Sequence, residues 1–229
     1  MSKDKRNFEV LESYNQSTLF GYDDYFDLFA KLFEENRMPK VSLIEGQKGI
    51  GKSTFVYHFI NFLLSRNEQN SYSLNEKTIN KNNQTYQLLS QNIHPNFYLV
   101  NKKADQKNIT IDEIRSMSSF LQKTSYNNNL KIVLIDDVEF LNVNSSNSLL
   151  KNLEEVNDNT FFFIICSNPS VLKATIKSRC ILFKVNFNYN EKKDIFNQLL
   201  GFYNVEEKHM DISDYLFYDT PGNLLKYFS

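Results

Sequence analysis

The sequence is poor in glycine and proline, with 6 and 4 among 229 residues, and it has only two cysteines. The scarcity of helix and strand breakers disfavours a loop-rich or fibrous chain. The 20 phenylalanines and 13 tyrosines instead indicate long elements around aromatic cores. Cys166 and Cys180 are too few for a structural zinc site or a disulfide framework. We therefore expect a reducing, cytoplasmic location.

A strong net charge and long apolar runs are absent as well. The formal net charge is −1 and the pI is about 6.3, so the chain as a whole does not attract polyanions. No stretch approaches the roughly 20 apolar residues that cross a bilayer, and residues 1–17 lack the apolar core of a signal peptide. We expect a soluble protein with no membrane partner.

Five short apolar runs predict the strands of a parallel sheet, at residues 41–45, 97–100, 131–135, 160–166 and 181–185. Several are almost entirely apolar, as is typical of strands covered on both faces. Helical patterns alternate with them at residues 53–64, after a capping box of Thr110 and Glu113, and at residues 146–155. This alternation predicts a layered α/β fold.

Two segments break the alternation. Residues 67–92 are rich in Asn, Ser, Lys and Gln and predict a mobile insertion with one short helix. Beyond Phe187 the strands stop, and residues 191–203 and 212–228 predict helices. We therefore divide the chain into a main domain over residues 1–186 and a small helical appendage over residues 187–229.

Residues 46–54 fit the phosphate-loop pattern G-x-x-x-x-G-K-[ST] between a predicted strand and a predicted helix, which is the context that the motif requires. Glycines let the backbone curl until its N–H groups face a β-phosphate, and the helix N-terminus favours the anion. Lys52 is expected between the β- and γ-phosphates of ATP, and the Ser53 hydroxyl on Mg²⁺. The predicted nucleotide-binding residues are Gly46, Gln47, Lys48, Gly49, Ile50, Gly51, Lys52, Ser53 and Thr54.

Two carboxylates follow the apolar run 131–135. Asp136 is the expected partner of Ser53 in holding Mg²⁺. Asp137 stands where a glutamate usually orients the water that attacks the γ-phosphate, and its side chain is one methylene shorter. We expect magnesium binding with inefficient hydrolysis.

Arg179 is one of five arginines and lies just before the last apolar run. Such an arginine, on a rim that faces a neighbour, can reach the γ-phosphate of another subunit. Taken alone, it is better explained as a solvated surface residue.

Together, these segments resemble the AAA+ subunits of bacterial clamp loaders, most of all the delta-prime type of DNA polymerase III. The matching segments follow one another in the family's order. They are the adenine-pocket box (residues 19–22), Walker A (46–54), Walker B (135–137), the helix that follows it (147–155), sensor 1 (167–168) and the SRC motif (178–180). The set extends over most of the chain, and the combination is far more specific than any single motif.

The resemblance implies an AAA+ P-loop NTPase core with a five-stranded parallel sheet flanked by helices, followed by a partial helical lid. It also implies a hetero-oligomeric ring with other clamp-loader subunits, which opens a sliding clamp and places it on primed DNA. In that ring Arg179 completes the ATP site of the adjacent subunit, and Asn168 acts as sensor 1.

The sequence departs from the family pattern at three points. The four-cysteine module of many clamp-loader ATPases is missing, so we expect ATP and Mg²⁺ but no zinc. Asn223 stands where sensor 2 usually supplies an arginine, which removes a contact to the γ-phosphate. The collar domain that joins such subunits is expected to be absent or supplied elsewhere. A subunit that offers Arg179 and hydrolyses ATP slowly itself is the interpretation that fits best.

Three alternatives remain open at this point. Asp137 would suffice as the base in an ATP-hydrolysing motor subunit of the same complex. A stand-alone phosphate-loop phosphotransferase would need lid arginines, and the arginines here are few and scattered. A pure interaction module would have a vestigial pocket. His58 and His94 are interpreted as framework residues rather than catalysts.

Overall fold

The computed structural model describes residues 8–123, 130–205 and 212–228, in which five strands alternate with eight α-helices. The strands are β1 (Val41–Glu45), β2 (Phe97–Val100), β3 (Lys131–Ile135), β4 (Thr160–Cys166) and β5 (Ile181–Lys184). The helices are α1 (Asp23–Glu34), α2 (Lys52–Leu64), α3 (Gln84–Ser90), α4 (Ile111–Gln122), α5 (Val143–Glu154), α6 (Ala174–Lys177), α7 (Tyr189–Phe202) and α8 (Pro221–Phe228). Short 3-10 helices span Val138–Phe140 and Ile212–Phe217.

All five strands form one parallel sheet in the order β2-β3-β4-β1-β5, which confirms the predicted α/β architecture. Every residue of β1, β3 and β4 is buried, as their continuous apolar runs predict. Because the strands are parallel, the loops after β1, β3 and β4 leave the sheet at the same edge. We call this the carboxyl edge, and it is where ligands bind in open α/β sheets.

The edge strand β5 is less covered than the others. Ile181 and Leu182 are 56% and 45% exposed, and β5 pairs only with β1 within the described sheet. This strand is therefore not buried on both faces like its neighbours.

One face of the sheet carries an aromatic core. Phe26 and Phe29 of α1 and Phe55 and Phe59 of α2 are almost fully buried, and they pack edge to face, with Phe59 reaching Phe163 of β4. Such ring pairs contribute about 0.5–1.5 kcal/mol each beyond the burial of apolar area. The other face is mainly aliphatic, with Ile114, Met117 and Leu149 from α4 and α5, although Phe162 is buried there as well. Most of the buried phenylalanines thus lie on one side of the sheet.

Residues 67–92 differ from the expected mobile insertion. The segment does contain the expected short helix, α3, but Tyr72, Ile79 and Leu89 are buried in the aromatic core. Asn83 caps α3 and exchanges side-chain hydrogen bonds of 3.1 and 3.3 Å with Asn61 of α2. The prediction was wrong here because composition averages over the few apolar side chains that anchor the segment.

The C-terminal appendage forms its own apolar cluster, with Phe196 and Leu200 from α7 and Leu216, Leu224 and Leu225 from the segment after it. The predicted helical segment over residues 212–228 is present, but it is divided into the 3-10 helix Ile212–Phe217 and α8. Pro221 begins α8, and proline is suited to the first turn of a helix but not to its interior. Along the described parts of the chain, no helix is both long and apolar enough to cross a membrane.

Candidate nucleotide-binding site

The phosphate loop connects β1 to α2 at the carboxyl edge of the sheet. Gly49 and Gly51 have φ angles of +78° and +99°, a backbone region that residues with a side chain rarely adopt. The curl of this loop therefore depends on glycine at both positions. Tyr22 stacks on Phe55, and its hydroxyl donates to the carbonyl of Ile50 at 3.1 Å, which fixes the middle of the loop. The loop thus opens on the N-terminus of the thirteen-residue helix α2.

Lys52 begins α2 and is 4% exposed. Its ammonium group donates to the carbonyls of Gly46 and Gln47 at 2.8 and 2.9 Å and to the hydroxyl of Ser167 at 3.0 Å. Burial lowers the pKa of Lys52, and the nearby carboxylate of Asp136 opposes this shift. The ammonium group therefore points toward the start of the loop, among neutral acceptors that a phosphate oxygen could replace.

Ser53 and Asp136 meet beside Lys52. The Ser53 hydroxyl donates to Asp136 Oδ2 at 2.8 Å, and the N–H of Asp137 donates to Asp136 Oδ1 at 2.9 Å. Burial raises the pKa of Asp136, and the hydrogen bond from Ser53 opposes that rise. A hydroxyl and a carboxylate in contact are the oxygen ligands that Mg²⁺ prefers, so these two residues fit the cation.

Asp137 has a left-handed backbone, with φ 55° and ψ 47°, as the residue before the 3-10 helix Val138–Phe140. In that helix Glu139 accepts a hydrogen bond from the N–H of Ser167 at 3.1 Å. Glu139 Oε2 is buried and has no hydrogen-bond partner among the described residues. Sequence reasoning missed Glu139, although a third acidic residue after the strand was a visible signal.

Of the two residues predicted at the sensor 1 position, Ser167 contacts the phosphate-loop lysine and Asn168 does not. Ser167 follows β4 and reaches Lys52, whereas Asn168 is exposed and accepts from the N–H of Ser170 at 3.3 Å. The structure therefore joins Lys52, Ser53, Asp136 and Ser167 at one edge and leaves the Asn168 side chain outside this group.

Arg179 lies at the opposite edge of the sheet, because it precedes β5, whereas the phosphate loop follows β1. The four residues of β5 separate the two edges by about 13 Å at roughly 3.3 Å per residue. Arg179 donates to the carbonyl of Thr175 at 2.9 Å and forms an ion pair with Glu154. The residue is thus far from its own phosphate loop. Burial raises the pKa of the adjacent Cys180 thiol to about 11, which is consistent with packing rather than reactivity.

The start of α8 rests directly on the phosphate loop. The Thr220 hydroxyl donates to the carbonyl of Lys48 at 2.8 Å, and the N–H of Gly222 donates to the carbonyl of Gly49 at 3.0 Å. Asn223, at the expected sensor 2 position, donates to the carboxylate of Asp219 at 2.8 Å. These contacts join residues far apart in the sequence, so no local pattern could have predicted them.

A pocket opens between the N-terminal segment, the phosphate loop and the appendage. Its lining comes from the adenine-pocket box, the phosphate loop, α2 and the appendage. The residues are Leu19, Phe20, Tyr22, Ile50, Thr54, Ile195, Pro221 and Leu225. Its apolar walls and its position beside the loop suit a planar base.

The fold and this arrangement define a P-loop nucleotide-binding core of the AAA+ type. Among solved structures, a RuvB variant of Thermotoga maritima shares the fold, with a TM-score of 0.56 and 15% identity over 95% of this chain and 64% of that one.

The family model for the DNA polymerase III delta subunit matches residues 21–188, well over half of the chain, and the chain therefore belongs to this family. The delta-prime subunits of Pseudomonas aeruginosa and Escherichia coli are 33% and 26% identical, over 61% and 69% of this chain and 40% and 45% of their own. A gamma subunit of DNA polymerase III from Buchnera aphidicola is 30% identical over 80% of this chain and 49% of its own. The chain spans about half the length of the curated relatives it matches, or less. The predicted likeness to delta-prime clamp-loader subunits is confirmed.

Proposed function

We propose that this delta-prime-like subunit binds ATP with Mg²⁺ and helps to load a sliding clamp on primed DNA, as one member of a hetero-oligomeric ring. The observation that carries the binding of ATP and Mg²⁺ is the meeting of Lys52, Ser53 and Asp136 at the carboxyl edge of the sheet. The role in clamp loading is supported by membership of the DNA polymerase III delta family. In this proposal residues 1–186 are the AAA+ nucleotide-binding domain and residues 187–229 are a partial helical lid.

Each part of the site has a distinct task in this proposal. The backbone N–H groups of residues 46–54 and the N-terminus of α2 hold the β-phosphate, and Lys52 exchanges its carbonyl partners for phosphate oxygens. Ser53 and Asp136 hold the cation, which neutralises phosphate charge when bound. Asn168 is proposed to sense the γ-phosphate, which requires its exposed side chain to leave the N–H of Ser170 and turn toward the loop when ATP binds.

Hydrolysis by the chain itself is proposed to be slow. Asp137 is shorter than glutamate, and its backbone already occupies the left-handed region. Asn223 carries no charge and is bound to Asp219, so it offers no arginine-like contact to the γ-phosphate. The chain thus holds nucleotide with an incomplete set of groups for turnover.

Arg179 is proposed to act in trans. Because it lies at the edge opposite to the chain's own phosphate loop, it serves a neighbour whose carboxyl edge faces that side. The ion pair with Glu154 keeps the guanidinium in place until a γ-phosphate competes for it. Such an arginine contributes about 10³–10⁵ in rate where it completes a γ-phosphate site.

Turnover of ATP by the chain with its cognate clamp-loader ATPase subunits, clamp and primed DNA tests this function. Arg179→Ala is compared with Arg115→Ala, which removes an exposed arginine paired with Asp112 on α4. We expect Arg179→Ala to remove most of the turnover and Arg115→Ala to leave it unchanged. Equal rates for both variants would contradict the role in trans.

The similarity to a gamma subunit favours a second candidate, an ATP-hydrolysing motor subunit of the same complex. The same assay with Asp137→Ala separates the two. A motor subunit loses its own contribution to turnover in this variant, whereas the slow subunit proposed here loses almost nothing. Rapid phosphoryl transfer to a small acceptor by the chain alone would instead indicate a phosphotransferase.

A further inference from the structure

Lys192 is a buried lysine beside the phosphate loop. It lies on α7, is 6% exposed, and donates to the carbonyls of Leu216 and Asp219 at 3.4 and 3.1 Å. Its third acceptor is the side-chain oxygen of Gln47, at 3.2 Å. None of the ion pairs between described side chains includes Lys192. The ammonium group is thus surrounded by neutral acceptors.

A buried cation without a counter-ion costs free energy that neutral hydrogen bonds repay only in part. An anion that enters beside it restores the balance, so a buried lysine at the rim of an anion site is a candidate ligand of that anion. Lys193, the next residue, is exposed to solvent, so its charge does not carry this cost of burial.

The position of Lys192 matches the phosphate side of the proposed nucleotide. Gln47 accepts from Lys52 with its backbone carbonyl and from Lys192 with its side chain, so one residue of the loop lies between two ammonium groups. A phosphate-loop lysine marks the place of the β- and γ-phosphates. Lys52 points toward the start of the loop, and Gln47 at that start also binds Lys192, so we infer that Lys192 lies on the side where the γ-phosphate would stand.

Contacts between α8 and the loop hold Lys192 in this place. Thr220 and Gly222 bind the carbonyls of Lys48 and Gly49, and the carbonyl of Asp219, just before them, accepts from Lys192. The segment that covers the loop and the lysine that reaches Gln47 are therefore joined through the carbonyl of Asp219.

We propose that Lys192 is a ligand of the terminal phosphate of ATP, contributed by the lid in place of the charge that Asn223 lacks. The inference rests on the proposed binding of ATP at the phosphate loop. It assigns to α7 a role in distinguishing nucleoside triphosphate from diphosphate.

Binding of ATP and ADP, each with Mg²⁺, by calorimetry on the full chain tests the proposal. Lys192→Met is compared with Lys193→Met, which makes the same change in charge one residue away on an exposed position. We expect Lys192→Met to reduce the preference for ATP over ADP about tenfold, since a charge-assisted contact to one phosphate is lost. Lys193→Met should keep the preference, because exposed charges are screened.

The outcomes separate this proposal from the function on which it rests. If Lys192→Met weakens ATP and ADP equally, or neither, the lysine only ties the lid to the loop and the proposal is wrong. If the wild-type chain binds neither nucleotide, the proposed function fails and this role fails with it.

A second measurement needs no variant. In a crystal structure of the wild-type chain with a non-hydrolysable ATP analogue and Mg²⁺, Lys192 Nζ should lie about 3 Å from a γ-phosphate oxygen. An ammonium group that still contacts only Leu216, Asp219 and Gln47 would overturn the assignment.

Discussion

His58 makes the stability of the fold depend on pH in a predictable direction. Its side chain is completely buried in α2, where Nδ1 meets the Tyr72 hydroxyl and Nε2 meets the carbonyl of Gln16, both at 3.0 Å. A neutral ring satisfies both contacts, with Nε2–H as donor and Nδ1 as acceptor. Burial lowers the pKa of His58 to about 4, from the ordinary value near 6.5.

The direction in which stability changes with pH follows from comparing the proton uptake of the folded and unfolded chains. Above pH 6.5 both keep the ring neutral, so His58 costs nothing. Between pH 6.5 and pH 4 only the unfolded chain takes up a proton, and the free energy of unfolding falls as the pH falls. From pH 7 to pH 4.5 the loss from this residue is about 2 kcal/mol, at roughly 1.4 kcal/mol per pH unit.

Urea denaturation at pH 7 and pH 4.5 measures this contribution, with His58→Gln as the reference. The glutamine amide does not titrate in this range, so the variant should lose about 2 kcal/mol less than the wild type between the two pH values, whatever its stability at pH 7. The comparison also cancels the titration of the carboxylates, which both proteins share. An equal loss in the two proteins would refute the reasoning.

Three further predictions concern the site and the core. Asp136→Asn can still accept from the N–H of Asp137 with its amide oxygen and donate to the Ser53 hydroxyl with its amide nitrogen. It should therefore abolish the Mg²⁺-dependent part of ATP affinity in calorimetry, while urea denaturation at pH 7 shows no loss of stability, because burial already disfavours the charge. Gly222→Ala would place a Cβ 2.5 Å from the carbonyl oxygen of Gly49, so it should displace the lid from the loop and cost about 1–3 kcal/mol in thermal unfolding. Phe59→Ala should cost about 3–5 kcal/mol in urea denaturation, because the ring is completely buried, and a loss below about 1 kcal/mol would contradict the described core.

The sequence was sufficient for the sheet and the phosphate loop because their signals are local. Continuous apolar runs fix β1, β3 and β4, and a motif of nine residues between a strand and a helix fixes the loop around Lys52. Because the strands are parallel, Asp136, which follows β3, lies at the same edge as Ser53. Arg179 precedes β5 and therefore lies at the other edge.

The remaining parts of the site depend on contacts between distant residues. Lys192 and Gln47 are 145 positions apart, and Thr220 and Lys48 are 172 apart, so neither pair leaves a periodic signal. Asn168 was chosen from the position of its motif, but the geometry of the turn after β4 brings Ser167 to Lys52 instead.

Equilibrium binding of ATP with Mg²⁺ to the purified chain tests the central claim most directly. Wild type is compared with Lys52→Ala and, as a matched control, with Lys31→Ala on an exposed position of α1. We predict that Lys52→Ala weakens binding about a hundredfold, since a buried ammonium group loses its charge-assisted contacts to phosphate, and that Lys31→Ala binds like the wild type. A wild-type chain that binds no ATP, or a Lys52→Ala variant that binds as well as the wild type, would contradict the account.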